Sequence, residues 1–314
     1  MIPNGSRFHF SKLSENEKVL YNQICDALEK FETKLSISSG IVKASVADIT
    51  KIVEFVLYDN PGFFYFDKSH FLITKSHKNT LINFQYDYSK TDTKKLTDEI
   101  ERKIEKFIQH KIDPKMSKLA KQLVIYKYLQ TTIKPDYKNI SIDSYSIVGA
   151  FVNGACVCEG FAKAYKLLCD YLKLPSMLVN GESFRDGKKE AHAWNITRIN
   201  GVAAHNDITW DTIAGVGSYD YFNLCNAEIL TDHTFDTAFY PNCVSNKINY
   251  FYANNLIALN LDDVKRIIGS NVDKDYYSIK LLFPVVFEQI EQFGFPSGSW
   301  QYNKTQQVIK FIKS

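Results

Sequence analysis

The hydrophobic pattern of the chain switches between helical and strand-like periods. Ser14 followed by Glu17 is a capping-box signature, and Leu20, Ile24, Ala27, Leu28 and Phe31 then recur at helical spacing, which predicts one amphipathic helix. A second is predicted from Ser45, with Asp48 three residues on and Ile49, Ile52, Val53 and Val56 on one face, up to the break at Asp59-Asn60-Pro61-Gly62. Beyond the break, Phe63 to Phe66, Phe71 to Thr74 and Leu81 to Tyr88 are rich in aromatic and β-branched residues between turn-prone pieces, and read as strands of a short meander. Leu96 to Ile108 returns to the helical period, with charges interleaved as on a solvated outer face.

Asp113-Pro114 pairs an N-cap acceptor with a proline suited to the first helical position, and predicts a helix carrying Met116, Leu119, Leu123 and Tyr126 until Pro135. The main boundary is placed just before it. Residues 1–112 read as an N-terminal helical region with a short β meander, 113–240 as a central core and 241–314 as a C-terminal α+β extension. That extension is expected to hold a helix over Leu261 to Ile268, a strand near Ile279 to Phe283, a turn at Gly294-Phe295-Pro296 and an edge strand near Val308 to Phe311. No repeat or low-complexity linker separates the regions, so they are expected to pack together.

The central segment carries the chemistry. After Gly154-Ala155-Cys156-Val157-Cys158-Glu159-Gly160, the residues Phe161, Ala164, Tyr165, Leu168 and Leu172 form one helical face that lasts until Pro175, which puts Cys158 at a helix start. The unpaired N–H groups and positive end of the helix favour an anion there, and hence a thiolate nucleophile. A lone cysteine beside a helix is more often structural, so a base is needed. One is available in AHAWNITRI-NG-VAAHNDITW, where two strand-like runs flank Asn200-Gly201, the favoured dipeptide of a two-residue hairpin turn. With Ile199 facing Val202, His192 faces Thr209 and Trp194 faces Asp207, so His192 and Asp207 become diagonal neighbours with β-carbons on the order of 7 Å apart. A carboxylate that fixes an imidazole, which in turn takes a proton from a thiol, is the logic of a nucleophilic triad. His205 lies on the same face, and spacing alone leaves either histidine free to be an ordinary ribbon residue.

Taken together, CVCEGFAKAYKLL, a strand ending in Asn180-Gly181, AHAWN and DITWD resemble the transglutaminase-like superfamily, over roughly Met116 to Asp236. The downstream Tyr219-Asp220-Tyr221-Phe222 and Thr231-Asp232-His233 are similar to elements of bacterial members. The resemblance implies an α+β fold with a papain-like core, in which a nucleophile helix packs on an antiparallel sheet. It places the nucleophile on Cys158, the general base on His192 and the orienting acid on Asp207. Trp194 and Trp210 match family positions and are candidate substrate contacts, with packing as the plainer role; Asp211 reads equally well as a turn or cap residue. Ala203 and Ala204 stand where many members have Trp-Tyr, which implies a differently shaped pocket. Cys156 suggests a rival role, a reversible disulfide with Cys158.

Composition narrows the remaining classes. The 314 residues are 45% hydrophobic and 23% charged, with 38 basic and 35 acidic side chains spread along the chain. The net charge argues neither for nor against an anionic partner, and no nucleic-acid partner is expected. No stretch suits a membrane span, and Met1 to Phe10 lacks the apolar segment of a signal peptide, so the expected location is cytoplasmic, with export after signal removal as the alternative. The six cysteines, Cys25, Cys156, Cys158, Cys169, Cys225 and Cys243, include no zinc-type pair, and the histidines show no paired ligand spacing, so neither metal nor cofactor is expected. The expected activity is cysteine-dependent acyl transfer or amide hydrolysis on a peptide or protein, with hydrolysis favoured. A catalytically silent binding or scaffolding module is the rival reading.

Overall fold

In the computed structural model, residues 5–38, 45–76, 79–185, 187–215, 217–285, 287–290 and 293–313 are described. The N-terminal helices begin where their caps require. After the short α1 (Phe8–Ser11), Ser14 and Glu17 close a reciprocal capping box on α2 (Glu15–Lys30), and Ser45 and Asp48 do the same on α3 (Val46–Asp59). Their apolar faces meet over Leu20, Ile24, Ile52 and Val56. An antiparallel sheet of order β1-β3-β2 completes this unit, from β1 (Lys34–Ser38), β2 (Leu72–Lys75) and β3 (Asn79–Asn83). The sequence reading missed β1, whose KLSIS buries one side chain only, Ile37. Phe63 to Phe66, expected as a strand, instead forms turns with one isolated bridge from Phe66 to Tyr86. Aromatic content there reflects burial of Phe64, Tyr65 and Phe66, which helices can supply as well as a ladder.

Helix α4 (Lys90–Lys111) starts on the Ser89 cap and buries Ile100, Ile104 and Phe107 in the same apolar cluster as α5 (Lys118–Thr132) and α6 (Cys158–Tyr171). Asp113-Pro114 does not open α5. Asp113 accepts from the Lys115 N–H in a turn, and Ser117 is the cap, accepting from Ala120 N–H at 3.1 Å. The end of α5 leads into β4 (Lys134–Pro135), which pairs in parallel with β5 (Ala155–Cys156) just before α6.

The central sheet has the order β10-β6-β7-β8-β9, all neighbours antiparallel: β6 (Ser176–Arg185), β7 (Lys188–Ile199), β8 (Val202–Asn206), β9 (Phe222–Leu224) and β10 (His233–Thr234). The β7–β8 register pairs Ile199 with Val202 and Asn195 with Asn206, as the turn demanded, with Asn200 and Gly201 both at positive φ. The ribbon then departs from expectation. β8 stops at Asn206, and Asp207 becomes the N-cap of α7 (Ile208–Ile213), so Thr209 lies on a helix and does not face His192. The cause is local: the Asp207 carboxylate accepts the Trp210 N–H at 3.1 Å, which offers the backbone a helical alternative to the ladder.

Helices α8 (Asn226–Ile229) and α9 (Tyr250–Ala253) lead to a second sheet of order β11-β12-β14-β13, built from β11 (Ile257–Ala258), β12 (Tyr276–Leu281), β13 (Gly298–Asn303) and β14 (Val308–Lys313). Helix α10 (Leu261–Gly269) packs on it, and α11 (Phe287–Ile290) follows β12. β14 is interior, not the expected edge: β12 and β13 pair with its two sides, because Val308, Ile309 and Phe311 are all buried. The architecture is thus α+β, with α6 packed on the central antiparallel sheet. Asn195 on β7 fastens that packing, donating from Nδ2 to the Ala162 carbonyl of α6 at 3.0 Å.

Candidate active site

Cys158 opens α6, whose N-cap Val157 supplies no side-chain acceptor, so the first amides of the helix are left for other partners. The turn is tight. At Gly160 a β-carbon would lie 2.6 Å from the Ser144 carbonyl oxygen and 2.7 Å from Cβ of Cys156, so only glycine lets the helix start sit this close to its support. Cys158 is partly exposed against Ala162, Leu178 and Ala193, whereas Cys156 is fully buried in the core beneath α6. Burial, then the charge of Cys158, push the Cys156 thiol well above its ordinary range.

His192 projects from β7 opposite Gly181 of β6. Its Nε2 meets Oδ2 of Asp207 at 2.7 Å, with both side chains buried. Burial disfavours the imidazolium, but the Asp207 charge and hydrogen bond, followed by a hydrogen bond and charge from Cys158, lift the His192 pKa to about 10. Burial likewise opposes ionisation of Asp207, and His192 and His233 overcome it and hold the carboxyl below the usual carboxylate range. With Nε2 committed to Asp207, Nδ1 is the nitrogen left to face the thiol.

His205 has a different place. Its Nδ1 accepts the Trp194 indole N–H at 3.0 Å and its Nε2 donates to Asn226 Oδ1 at 3.0 Å, the pattern of a neutral ring; burial takes its pKa down to about 4. Trp194 is 1% exposed and stacks behind His192 and against His233. Trp210 is half-buried, packs on His192, His233 and Tyr221, and also lines a cavity of about 410 Å³ with Phe184, Arg185, Asn303 and Lys310. Asp211 is a buried staple, accepting from Tyr126, Ser218 and the amides of Asp220 and Tyr221.

Two neighbours had no role in the sequence reading. Tyr137 follows β4, and the Pro135–Cys156 pairing brings it abreast of Cys158. Nothing in the local sequence signals this, because a two-residue parallel bridge places it. His233, in β10, brings its Nε2 to Asp207 Oδ2 at 3.1 Å and its Nδ1 to Asp232 Oδ1 at 2.6 Å. His192, Asp207 and His233 therefore present three metal-type ligand atoms within 4.8 Å of one another, a cluster that histidine spacing along the chain did not reveal. Direct contacts of 2.7 and 3.1 Å onto one carboxylate oxygen are hydrogen-bond geometry, and a zinc ion at about 2.0 to 2.2 Å from each ligand would have to part them.

No protein-family model and no curated protein matches the chain. Among the solved structures it is similar to are two of low identity. One, assigned as a cysteine protease from Cytophaga hutchinsonii, is 13% identical with a TM-score of 0.31, covering 45% of this chain and 61% of that one. The other, a TGase, is 15% identical with a TM-score of 0.32, covering 45% and 44%. The chain thus spans less than two thirds of either neighbour, and at that identity and overlap neither lends its activity to it. Among the described residues no helix is long and apolar enough to cross a membrane.

Proposed function

We propose that the chain is a transglutaminase-like cysteine enzyme that cleaves an amide of a peptide or protein through a thioacyl intermediate on Cys158. The observation that carries the reading is the setting of His192: Nε2 is locked on Asp207 at 2.7 Å, and Cys158, at the start of α6, is close enough to raise the pKa of the ring. The Cys158 thiolate adds to the carbonyl carbon, and the oxygen takes the negative charge beside the Cys158 backbone N–H. The His192 imidazolium then gives its proton to the departing amine as the C–N bond breaks. Water, deprotonated by His192, adds to the thioester, and release of the acid restores the thiolate and imidazolium. Asp207 stays ionised throughout and keeps the ring in one tautomer. The cavity beside Trp210 offers room for a substrate side chain within one indole of the base.

The test is alkylation by iodoacetamide at graded pH, with intact-mass detection and peptide mapping, on the wild type and His192→Ala. Selective labelling of Cys158 below pH 8, slowed on the order of a hundredfold or more without His192, is the expected result. Equal labelling of Cys158 in the two proteins overturns the reading.

A further inference from the structure

Asp207 serves two histidines, and its second partner is held more tightly than a packing contact needs. Both nitrogens of His233 meet carboxylate oxygens, Asp232 Oδ1 at 2.6 Å and Asp207 Oδ2 at 3.1 Å. An ionised carboxylate only accepts, so each ring nitrogen must donate, and a ring that donates from both sides is an imidazolium. Asp232 is fixed in turn by the Tyr221 hydroxyl at 2.6 Å and by Gln306 Nε2 at 3.3 Å, the latter from the turn between β13 and β14. The free oxygen of Asp207 is closed off as well, since Oδ1 accepts the Trp210 N–H.

We propose that His233 is a positioning residue of the site: doubly protonated between Asp232 and Asp207, it aims Oδ2 of Asp207 at His192 and shares that oxygen's charge. The role deepens the thiol-enzyme reading and rests on it. The turn between β13 and β14 contributes through Gln306, which acts on the base at the end of a chain Gln306, Asp232, His233, Asp207, His192. The consequence has a sign. A fixed cation 5.4 Å, ring to ring, from His192 opposes a second positive charge there, so His233 holds His192 less basic than Asp207 alone would make it. The groups facing His233 are Asp207, Asp232, His192 and Tyr221, with His205 sensing its charge from the far side of Trp194. Both carboxylates act to raise the pKa of His233 against its burial.

The deciding measurement is histidine ¹⁵N NMR against pH on the whole chain, wild type, His233→Gln and Asp232→Asn. In the wild type His233 keeps imidazolium shifts from pH 5 to 8. In His233→Gln, which retains a donor and loses the charge, the His192 titration moves up by about one pH unit, and kcat/KM falls. Asp232→Asn leaves the ring in place but removes one of the two carboxylates that keep it doubly protonated, so His233 becomes neutral and His192 moves the same way; the outcome does not depend on one variant folding. Packing alone would move neither titration. Neutral His233 shifts at pH 7, or an unmoved His192 in both variants, overturns the proposal. If His233 is charged but Cys158 proves no more reactive than an ordinary thiol, the enzyme reading has failed and positioning for catalysis fails with it.

Discussion

His9–Asp59 and His192–Asp207 are both buried histidine–aspartate pairs, and only the second lies beside a thiol at a helix start. His9 and Asp59 meet at 2.9 Å, almost the separation of His192 and Asp207, with both side chains out of solvent. Asp59, however, is a clamp for backbone. It accepts the N–H groups of His9 and Phe10 at the start of α1 and the Tyr21 hydroxyl, so α1 is fastened to the end of α3. Nε2 of His9 is buried with no hydrogen-bond partner among the described residues, walled by Phe8, Phe55, Tyr58 and Phe239. His192 instead has a partly exposed thiol, Cys158, close enough to raise its pKa. A buried His–Asp contact is therefore no signature of catalysis; the destination of the other ring nitrogen decides.

Replacing each acid by its amide should separate the two pairs. Asp207→Asn should lower turnover on the order of ten-thousandfold, because an amide presents the wrong hydrogen-bond pattern to His192 and cannot offset its charge. Asp59→Asn should leave turnover unchanged and cost about 3 kcal/mol of stability, as expected when one partner of a buried polar pair is lost. Parallel amidase assays and denaturant melts on the two variants check both halves, and comparable activity losses would dissolve the distinction. Stability against pH sharpens it further. The folded-state pKa of His192 is raised, so the stability it contributes is fully present below about 6.5 and is lost as pH rises through about 10. Asp207→Asn should flatten that decline.

How far each pair could be read from sequence follows the same division. Helix starts were legible at Ser14–Glu17 and Ser45–Asp48 but not at the equivalent Ser89–Asp92, where the helical run was read only from Leu96, and the Asn200-Gly201 turn fixed the β7–β8 register through Asn206. The approach of His192 to Asp207 followed from that register, although Asp207 reaches it as a helix cap. His9–Asp59 joins residues 50 apart through helix packing, and His233 reaches Asp207 from a two-residue strand 26 residues away. No local period encodes either contact. The same holds for Tyr137 beside Cys158, whereas Trp194 and His205 are diagonal neighbours that the hairpin register brings to one face.

A smaller perturbation tests whether the β6–β10 edge carries His233 to its place. A β-carbon at Gly181 would fall 2.2 Å from the Thr234 carbonyl oxygen and 2.8 Å from the Trp194 ring. One obstacle is backbone and the other is a buried indole, so neither yields cheaply. Gly181→Ala should cost about 1 to 3 kcal/mol and push β10 outward. Activity should then fall with the His192 titration displaced as in His233→Gln, a link that the same change near His9 could not produce. An unaltered melting temperature would show that the edge has slack.

The least effect is expected at Cys156, and its absence is informative. A disulfide with Cys158 would require both sulfurs to approach to about 2.05 Å with a suitable dihedral angle. The Cys156 sulfur instead points at Gly160, 3.0 Å from where a β-carbon would stand, within the core that α6 covers, while Cys158 borders Leu178 and Ala193 of the sheet. The two thiols thus lie on different sides of the helix start, and burial keeps Cys156 protonated. Cys156→Ala should leave both the rate and the pH dependence of Cys158 alkylation within about twofold of wild type, with a stability loss near 1 kcal/mol for the vacated volume. Diamide treatment of the wild type should yield no internal disulfide by mass. A two-dalton loss mapped to these two residues would mean that α6 unwinds at its first turn, and would move the comparison from two histidine pairs to two states of one thiol.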